Sequence, residues 1–300
     1  MTDTTGTLSV VPDPVSAGVR ETEPGSGTHV ALGTVASTNA EARRLAGSVT
    51  VPTWVTAVEQ TAGRGRLGRH WHSPAGNFHA TLILPAVGGP ESAVLRSFTA
   101  ALAVREALSD LVGCGDRFKL KWPNDVMADG RKIAGILLET VETTLLVGIG
   151  VNLVAAPELH RGLASEAHGT TDRRAGRDHG DGMVPAGMAV AVSGMKRQCP
   201  QPVHLRAISG RTVSSSRFLA ILASAFEVWE NRLVTVGFRK VREEWLRHAT
   251  GLGGVVTARM GACTITGVFE TVDACGAIVL HSRDGRQVIA AADIHFPQVG

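Results

Sequence analysis

The chain has only four cysteines among its 300 residues, and Cys114, Cys199, Cys263 and Cys275 form no CxxC pair and no metal-like spacing. Reduced thiols in a cytosolic protein are the default for such a pattern. No apolar run approaches the roughly 20 residues of a membrane span, so no membrane partner is expected. The opening MTDTTGTLSVVPDPVSAGVR lacks a basic start followed by an apolar core, which speaks against a secretory signal. A net charge of +3 is too small to argue for nucleic acid by itself. There are no internal repeats at solenoid periods. One local absence stands out: no acidic residue lies between Glu59 and Glu91, so Arg64, Arg66 and Arg69 lack partners nearby in sequence.

What is present is a chain with 44% hydrophobic and 19% charged residues. Its length leaves room for one large domain and a small one. The unpartnered arginines sit in GRGRLGRHW, Gly63 to Trp71. Glycines let backbone approach a ligand closely, and guanidinium forks suit phosphate or carboxylate oxygens. Gly63, Gly65 and Gly68 satisfy GxGxxG. The dinucleotide version needs a helix at the third glycine and an acid about twenty residues later, whereas this stretch runs into Ser73-Pro74-Ala75-Gly76. Nor does it end in the GK[ST] of a P-loop. An anion cradle remains, beside the simpler reading of a solvated basic loop.

Residues 1 to about 27 are rich in Thr, Ser, Pro, Gly and acids and read as a flexible tail. THVALGTV suits a strand ending near Val35. Thr38 followed by Glu41 predicts a capping box with Thr38 as N-cap. TWVTAVE from Thr53 and NFHATLIL from Asn77 read as strands holding the cradle between them. A helix is expected over Glu91 to Leu111, then a strand RFKLKW from Arg117. KIAGILLETV and TLLVGIGVNL follow as adjacent strands, and Gly148 and Gly150 inside the second mark close approach or a bulge. Residues from about 156 to 202 read as a long polar insertion, where His160, His168 and His179 lack metal-ligand spacing. Helical periodicity returns from Arg217 and from Phe238. After His248 come short strands, with RQVIAAADI as the last and Asp284-Gly285 as a hairpin signal.

A second cluster, KWPNDVMADGRKIAG from Lys121 to Gly135, gathers two lysines, a Trp, an Asn and acids near a turn between strands. Lys121 with Asp125 is a candidate structural ion pair. Lys132, followed by the small pair Ala134-Gly135, could complete a clamp that brings a carboxylate and a phosphate together.

QTAGRGRLGRHWHSPAGNFHATL, KWPNDV, RKIAGILLE and VGIGVN, in this order and spacing, resemble the biotin protein ligases. The resemblance is close over residues 28 to 155 and looser from 203 onward. It implies an α+β fold: a mixed-sheet catalytic domain akin to class II aminoacyl-tRNA synthetases at residues 28–249, then a small SH3-like barrel at 250–300. It also implies a two-step, ATP-dependent reaction in the cytoplasm. Biotin and MgATP give biotinyl-5′-adenylate, and a lysine of a biotin carboxyl carrier protein, of acetyl-CoA carboxylase or a related enzyme, then takes the biotinyl group.

Residue by residue, the resemblance places Ser37, Thr38, Asn39, Gln60, Arg64, Gly65, Arg66, Lys132 and Gly135 around biotin. Arg64, Arg66, Arg69, Trp71, Asn124, Lys132 and Asn152 would hold ATP, with Trp71 stacking on adenine and Asn124 and Asn152 reading its edge. Arg66 and Lys132 would carry catalysis, and Asp125 is the candidate magnesium ligand. Three departures follow. No helix-turn-helix precedes the first strand, so DNA binding and repression are not expected. Leu67 replaces an arginine of some members. The insertion interrupts the segment before PVHLRAISGR, which bears on the back wall of the site and on a homodimer contact. A lipoate-ligase-like enzyme is the competing reading, though its RRxxGGG-type signature is missing; a non-catalytic binding protein is the other.

Overall fold

The computed structural model describes residues 19–20, 28–157 and 201–296. Most of the stretch read as a tail, and of the polar insertion with its three histidines, lies outside the described residues. The elements in chain order are β1 (Val19–Arg20), β2 (Thr28–Val35), α1 (Thr38–Leu45), β3 (Thr53–Gln60), β4 (Phe78–Leu84), α2 (Pro90–Val112), β5 (Phe118–Lys121), β6 (Asp125–Ala128), β7 (Arg131–Val141) and β8 (Thr144–Val151). Then come α3 (Leu205–Ser209), α4 (Ser215–Val236), α5 (Phe238–Arg247), β9 (Val255–Met260), β10 (Cys263–Val272), β11 (Ile278–Ser282), β12 (Gly285–Ile289) and β13 (Asp293–His295).

Eight strands form a sheet in the order β1-β2-β3-β4-β8-β7-β6-β5. β2 and β3 run parallel and the other neighbours antiparallel, so the sheet is mixed, as expected. The expected strands are present, and β6 is an additional one that begins at the Asp of WPND and runs over Asp125–Ala128. Five further strands make an antiparallel sheet, β12-β11-β10-β9-β13. RQVIAAADI, read as one strand, is split between β12 and β13, which lie at opposite edges of this sheet. Within the tail stretch, Val19–Arg20 pairs with β2.

Strand alternation separates core from cleft. On β4, Phe78, Ala80, Leu82 and Leu84 join the main core, and on β8 so do Leu145, Val147, Ile149 and Val151. Helices α2 and α4 cover that face; Phe78 meets Phe218 and Trp54 meets Phe226 edge-on. The intervening positions face α1, where Ala42, Ala46, Val55, Ile83 and Leu146 form a small second cluster. Beyond that cluster the same face carries Thr81, Gly148, Gly150 and Gly135, and there the cleft opens. Burying apolar side chains on both sides of these strands would have filled it.

The C-terminal sheet packs close by. Trp122 is buried and its Nε1 donates to the Gly276 carbonyl at 2.9 Å. Phe98 of α2 packs against Phe238 and Trp245 of α5. Cys114, Cys263 and Cys275 are free thiols among the described residues, and no described helix is long and apolar enough to cross a membrane.

Candidate active site

A cleft of about 360 Å³ lies on the open face of the large sheet, within the usual range of roughly 300 to 1,000 Å³ for small-molecule sites. Every site residue expected from sequence borders it: Ser37, Thr38, Asn39, Gln60, Arg64, Gly65, Arg66, Arg69, Trp71, Asn124, Asp125, Lys132, Gly135 and Asn152. They come from the cradle loop, the start of α1, the end of β3, the turn into β6, the first half of β7 and the position just past β8.

At one end, α1 begins. The expected capping box is not what forms: Ser37 is the N-cap, its Oγ accepting from Ala40 N at 3.4 Å. Glu41 instead binds Arg44 through a 2.7 Å contact. Thr38, one residue into the helix, is thereby released to the cleft. Its amide and hydroxyl both point at Gln60 Oε1, at 2.8 and 3.1 Å. Gln60 Nε2 in turn donates to Ser73 Oγ at 2.8 Å. Asn39 fills the space over Gly148, where a Cβ would collide with its amide. Thr81 Oγ1 lies 2.6 Å from Asn39 Oδ1 and 2.9 Å from Thr38 Oγ1. Sequence reading had not singled out Thr81; its only signal is the polar interruption of an apolar strand.

At the other end stands the cradle. Gly63 O accepts from Trp71 N at 2.9 Å, and Gly65 N donates to Arg69 O at 2.7 Å, so the stretch is a closed hairpin. No side chain fits at Gly63, because a Cβ would lie 2.5 Å from Ser73 Oγ and 2.7 Å from Trp71 O. At the tip, Leu67 adopts a left-handed conformation with φ of 56° and is 80% exposed. The arginines lack sequence-local partners, as expected, yet two have distant ones. Arg69 pairs with Asp293 of β13, and Arg66 Nη1 reaches the Ala292 carbonyl at 3.4 Å. Burial alone would raise the Asp293 carboxyl, but the Arg69 hydrogen bond and the charges of Arg69, Arg66 and His295 hold it below the ordinary aspartate value. Nothing local in the sequence marks Asp293, which lies 224 positions from its partner.

Between the two ends lie Trp71, Lys132 and Asp125. The Trp71 ring rests over the paired glycines Gly135 and Gly150, where a Cβ at Gly150 would strike the indole. Lys132 Nζ is 5.3 Å from that ring's centroid. The indole Nε1 is buried without a hydrogen-bond partner, so the slot has an unmet donor. Lys132 Nζ also contacts Asp125 Oδ1 at 2.6 Å. Asp125 therefore has Lys132 as a partner, while Lys121, the partner proposed from sequence, stands 5.5 Å from the Phe296 ring centroid. Gly135 makes room for Trp71 and Lys132.

Two asparagines do structural work here. Asn124 Nδ2 donates to the Ile136 carbonyl, and Ile136 N returns a bond to Asn124 O. Asn152 is 2% exposed, and its Nδ2 donates to Val203 O at 3.2 Å. Val203 N meets Lys132 O at 2.9 Å, and Leu205 N meets Asn152 O at 2.8 Å. The chain after the insertion thus returns straight to the site and closes its back wall. Asn77, unremarked in sequence, secures the exit of β8: its Oδ1 accepts from the amides of Leu153, Val154 and Ala155.

Chemically, the cleft offers a hydrogen-bonding pocket for a neutral polar group at one end and cationic side chains for anions at the other. Residues 33–153 match the model of the biotin/lipoate A/B protein ligase family. The chain is 40% identical over 265 residues to the biotin–acetyl-CoA-carboxylase ligase of Paracoccus denitrificans, covering 87% of this chain and 97% of that protein. It is 27% identical to the bifunctional ligase/repressor BirA of Bacillus subtilis, spanning 81% of this chain and 66% of the relative. Its fold resembles the biotin protein ligase of Aquifex aeolicus, solved in complex with biotin and ATP, with a TM-score of 0.67 at 22% identity over 89% of this chain and 97% of that one. The chain belongs to the biotin protein ligases of the biotin/lipoate A/B protein ligase family.

Proposed function

We propose that this chain activates biotin with ATP as biotinyl-5′-adenylate and transfers it to a lysine of a biotin carboxyl carrier protein, that of acetyl-CoA carboxylase being the favoured acceptor. The observation that carries this reading is the joining, in one cleft, of the Thr38-Asn39-Gln60 pocket to the Arg64-Arg66-Arg69 cradle, with Lys132 between them.

The ring of biotin is neutral and polar, and it goes to the preorganised pocket. Its carboxylate and the α-phosphate of ATP are both anions that repel one another. Lys132 stands where the two meet, and the cradle arginines take the phosphate oxygens. Charge-assisted hydrogen bonds contribute about 1.5 to 3 kcal/mol each, and alignment of two bound reactants removes up to about 7 to 11 kcal/mol of barrier. Those two effects suffice without a covalent enzyme nucleophile. Trp71 forms the wall against the nucleotide base. Asn124 and Asn152 shape the floor through backbone bonds, so any contact of theirs with adenine uses the remaining amide atoms.

Magnesium enters as part of the substrate MgATP. Among the described residues no group of three or more His, Cys, Asp or Glu could hold a metal, and phosphate-bound magnesium usually needs one or two carboxylates. Asp125 and Asp293 both border the cleft; Asp125 is the candidate ligand, and a cation on it would free Lys132 from its present partner. A cytoplasmic location, where ATP and the unmodified carrier meet, fits this chemistry.

The test is transfer of labelled biotin to a purified carrier domain by the wild type and by Lys132→Ala. Transfer by the wild type and severe loss in the variant are expected. Undiminished transfer by the variant removes Lys132 from its role.

A further inference from the structure

Glu139 lies on β7, outside the ring of residues that border the cleft, and its carboxylate is bound from two sides. Toward solvent, Arg43 approaches at 3.6 Å, with the two side chains 51% and 36% exposed. An exposed pair at that distance contributes little. Toward the interior, Asn39 Nδ2 donates to Glu139 Oε2 at 2.8 Å. Asn39 is 8% exposed and borders the cleft, so this second contact is the consequential one.

An ionised carboxylate only accepts hydrogen bonds, whereas an amide has one donating and one accepting end. Glu139 therefore dictates which way the Asn39 amide points. The nitrogen faces Glu139, and the oxygen faces Thr81, which is fully buried and whose hydroxyl lies 2.6 Å away. A flipped amide would set two oxygens against each other at 2.8 Å and leave the Thr81 hydroxyl without that acceptor. In the fixed orientation one hydrogen on Nδ2 remains to be offered. Gly148 completes the arrangement, since any Cβ there would occupy the space of the amide.

We propose that Glu139 is a positioning residue that sets the hydrogen-bonding polarity of the ring pocket by locking the Asn39 amide. Asn39 then presents a donor, suited to a carbonyl oxygen on a neutral cyclic substrate, as in the urea group of biotin. This rests on the proposed function. A pocket with a freely flipping amide would present donor and acceptor alternately and bind such a ring less tightly. The nucleotide end shares no hydrogen bond with Glu139, so its affinity should be unaffected.

Calorimetric titration of the full chain with biotin alone, together with KM values for biotin and ATP, tests this. The wild-type titration comes first: no biotin binding there defeats the functional reading itself. Given binding, Glu139→Ala should weaken biotin and raise its KM by about tenfold, the loss of one charge-assisted hydrogen bond. The KM for ATP should stay within about twofold. Glu139→Gln, whose side-chain oxygen still accepts from Asn39, should recover most of the affinity. Unchanged biotin affinity in Glu139→Ala, equal rises in both KM values, or a Gln variant as impaired as Ala would each overturn the assignment.

Discussion

The two ends of the cleft are built by opposite means. In the pocket, Thr38, Asn39 and Thr81, between 0 and 8% exposed, and the partly buried Gln60 satisfy one another across a helix and strands. The cradle is a surface hairpin whose Arg64 and Arg69 are exposed, held by its own backbone and by two contacts to the C-terminal sheet. Buried polar networks hold one geometry because every displaced partner costs desolvation. Exposed guanidiniums can exchange a protein carboxylate for a phosphate at little cost. The first end is thus made to discriminate a neutral ring, the second to close over charge when it arrives.

Four substitutions probe that contrast. Lys132→Ala, at the junction, should lower the rate of adenylate formation by about 10²- to 10³-fold, the usual loss for a preorganised electrostatic donor; single-turnover measurement checks it. Gly148→Ala should weaken biotin binding by about 5- to 150-fold, because overpacking by one methyl costs roughly 1 to 3 kcal/mol in a rigid site. Arg69→Ala should raise the KM for ATP only severalfold, since the lost donor is exposed and water replaces it. Were Gly148→Ala harmless and Arg69→Ala crippling, the division into a rigid and an adjustable end would be reversed.

Smallest is the effect of pH on the tie between the cradle and β13. The Asp293 carboxyl lies below the ordinary aspartate value when paired, so it stabilises the closed hairpin at and above that ordinary value. The contribution is lost as pH falls through the depressed folded value. Cleavage within Gly63 to Trp71 by an acid-active protease should rise in that range, and Asp293→Asn should show the raised cleavage at every pH. Because Arg69 is largely exposed, the change should be modest.

Much of this was legible in the sequence where the signal is local. The stretches NFHATLIL and TLLVGIGVNL became β4 and β8, and of the two roles open to the glycines at 148 and 150 close approach is the one found, made by Asn39 and Trp71. The periodic stretches after Arg217 and Phe238 became α4 and α5. What escaped depends on partners far along the chain. Asp293 and Glu139 are ordinary acids until the fold brings them 224 and 100 positions back to Arg69 and Asn39. The N-cap fell on Ser37 because Gln60 competes for Thr38, a tertiary override of a local rule. β6 is only four residues long and offers no period to read.

The central claim is that the neutral pocket and the cationic cradle together activate biotin. ATP–pyrophosphate exchange measured with biotin, with lipoate, and with neither tests it most directly. Exchange that requires biotin and is not supported by lipoate is the predicted result. Exchange driven by lipoate and not by biotin, or no exchange with either, would contradict it.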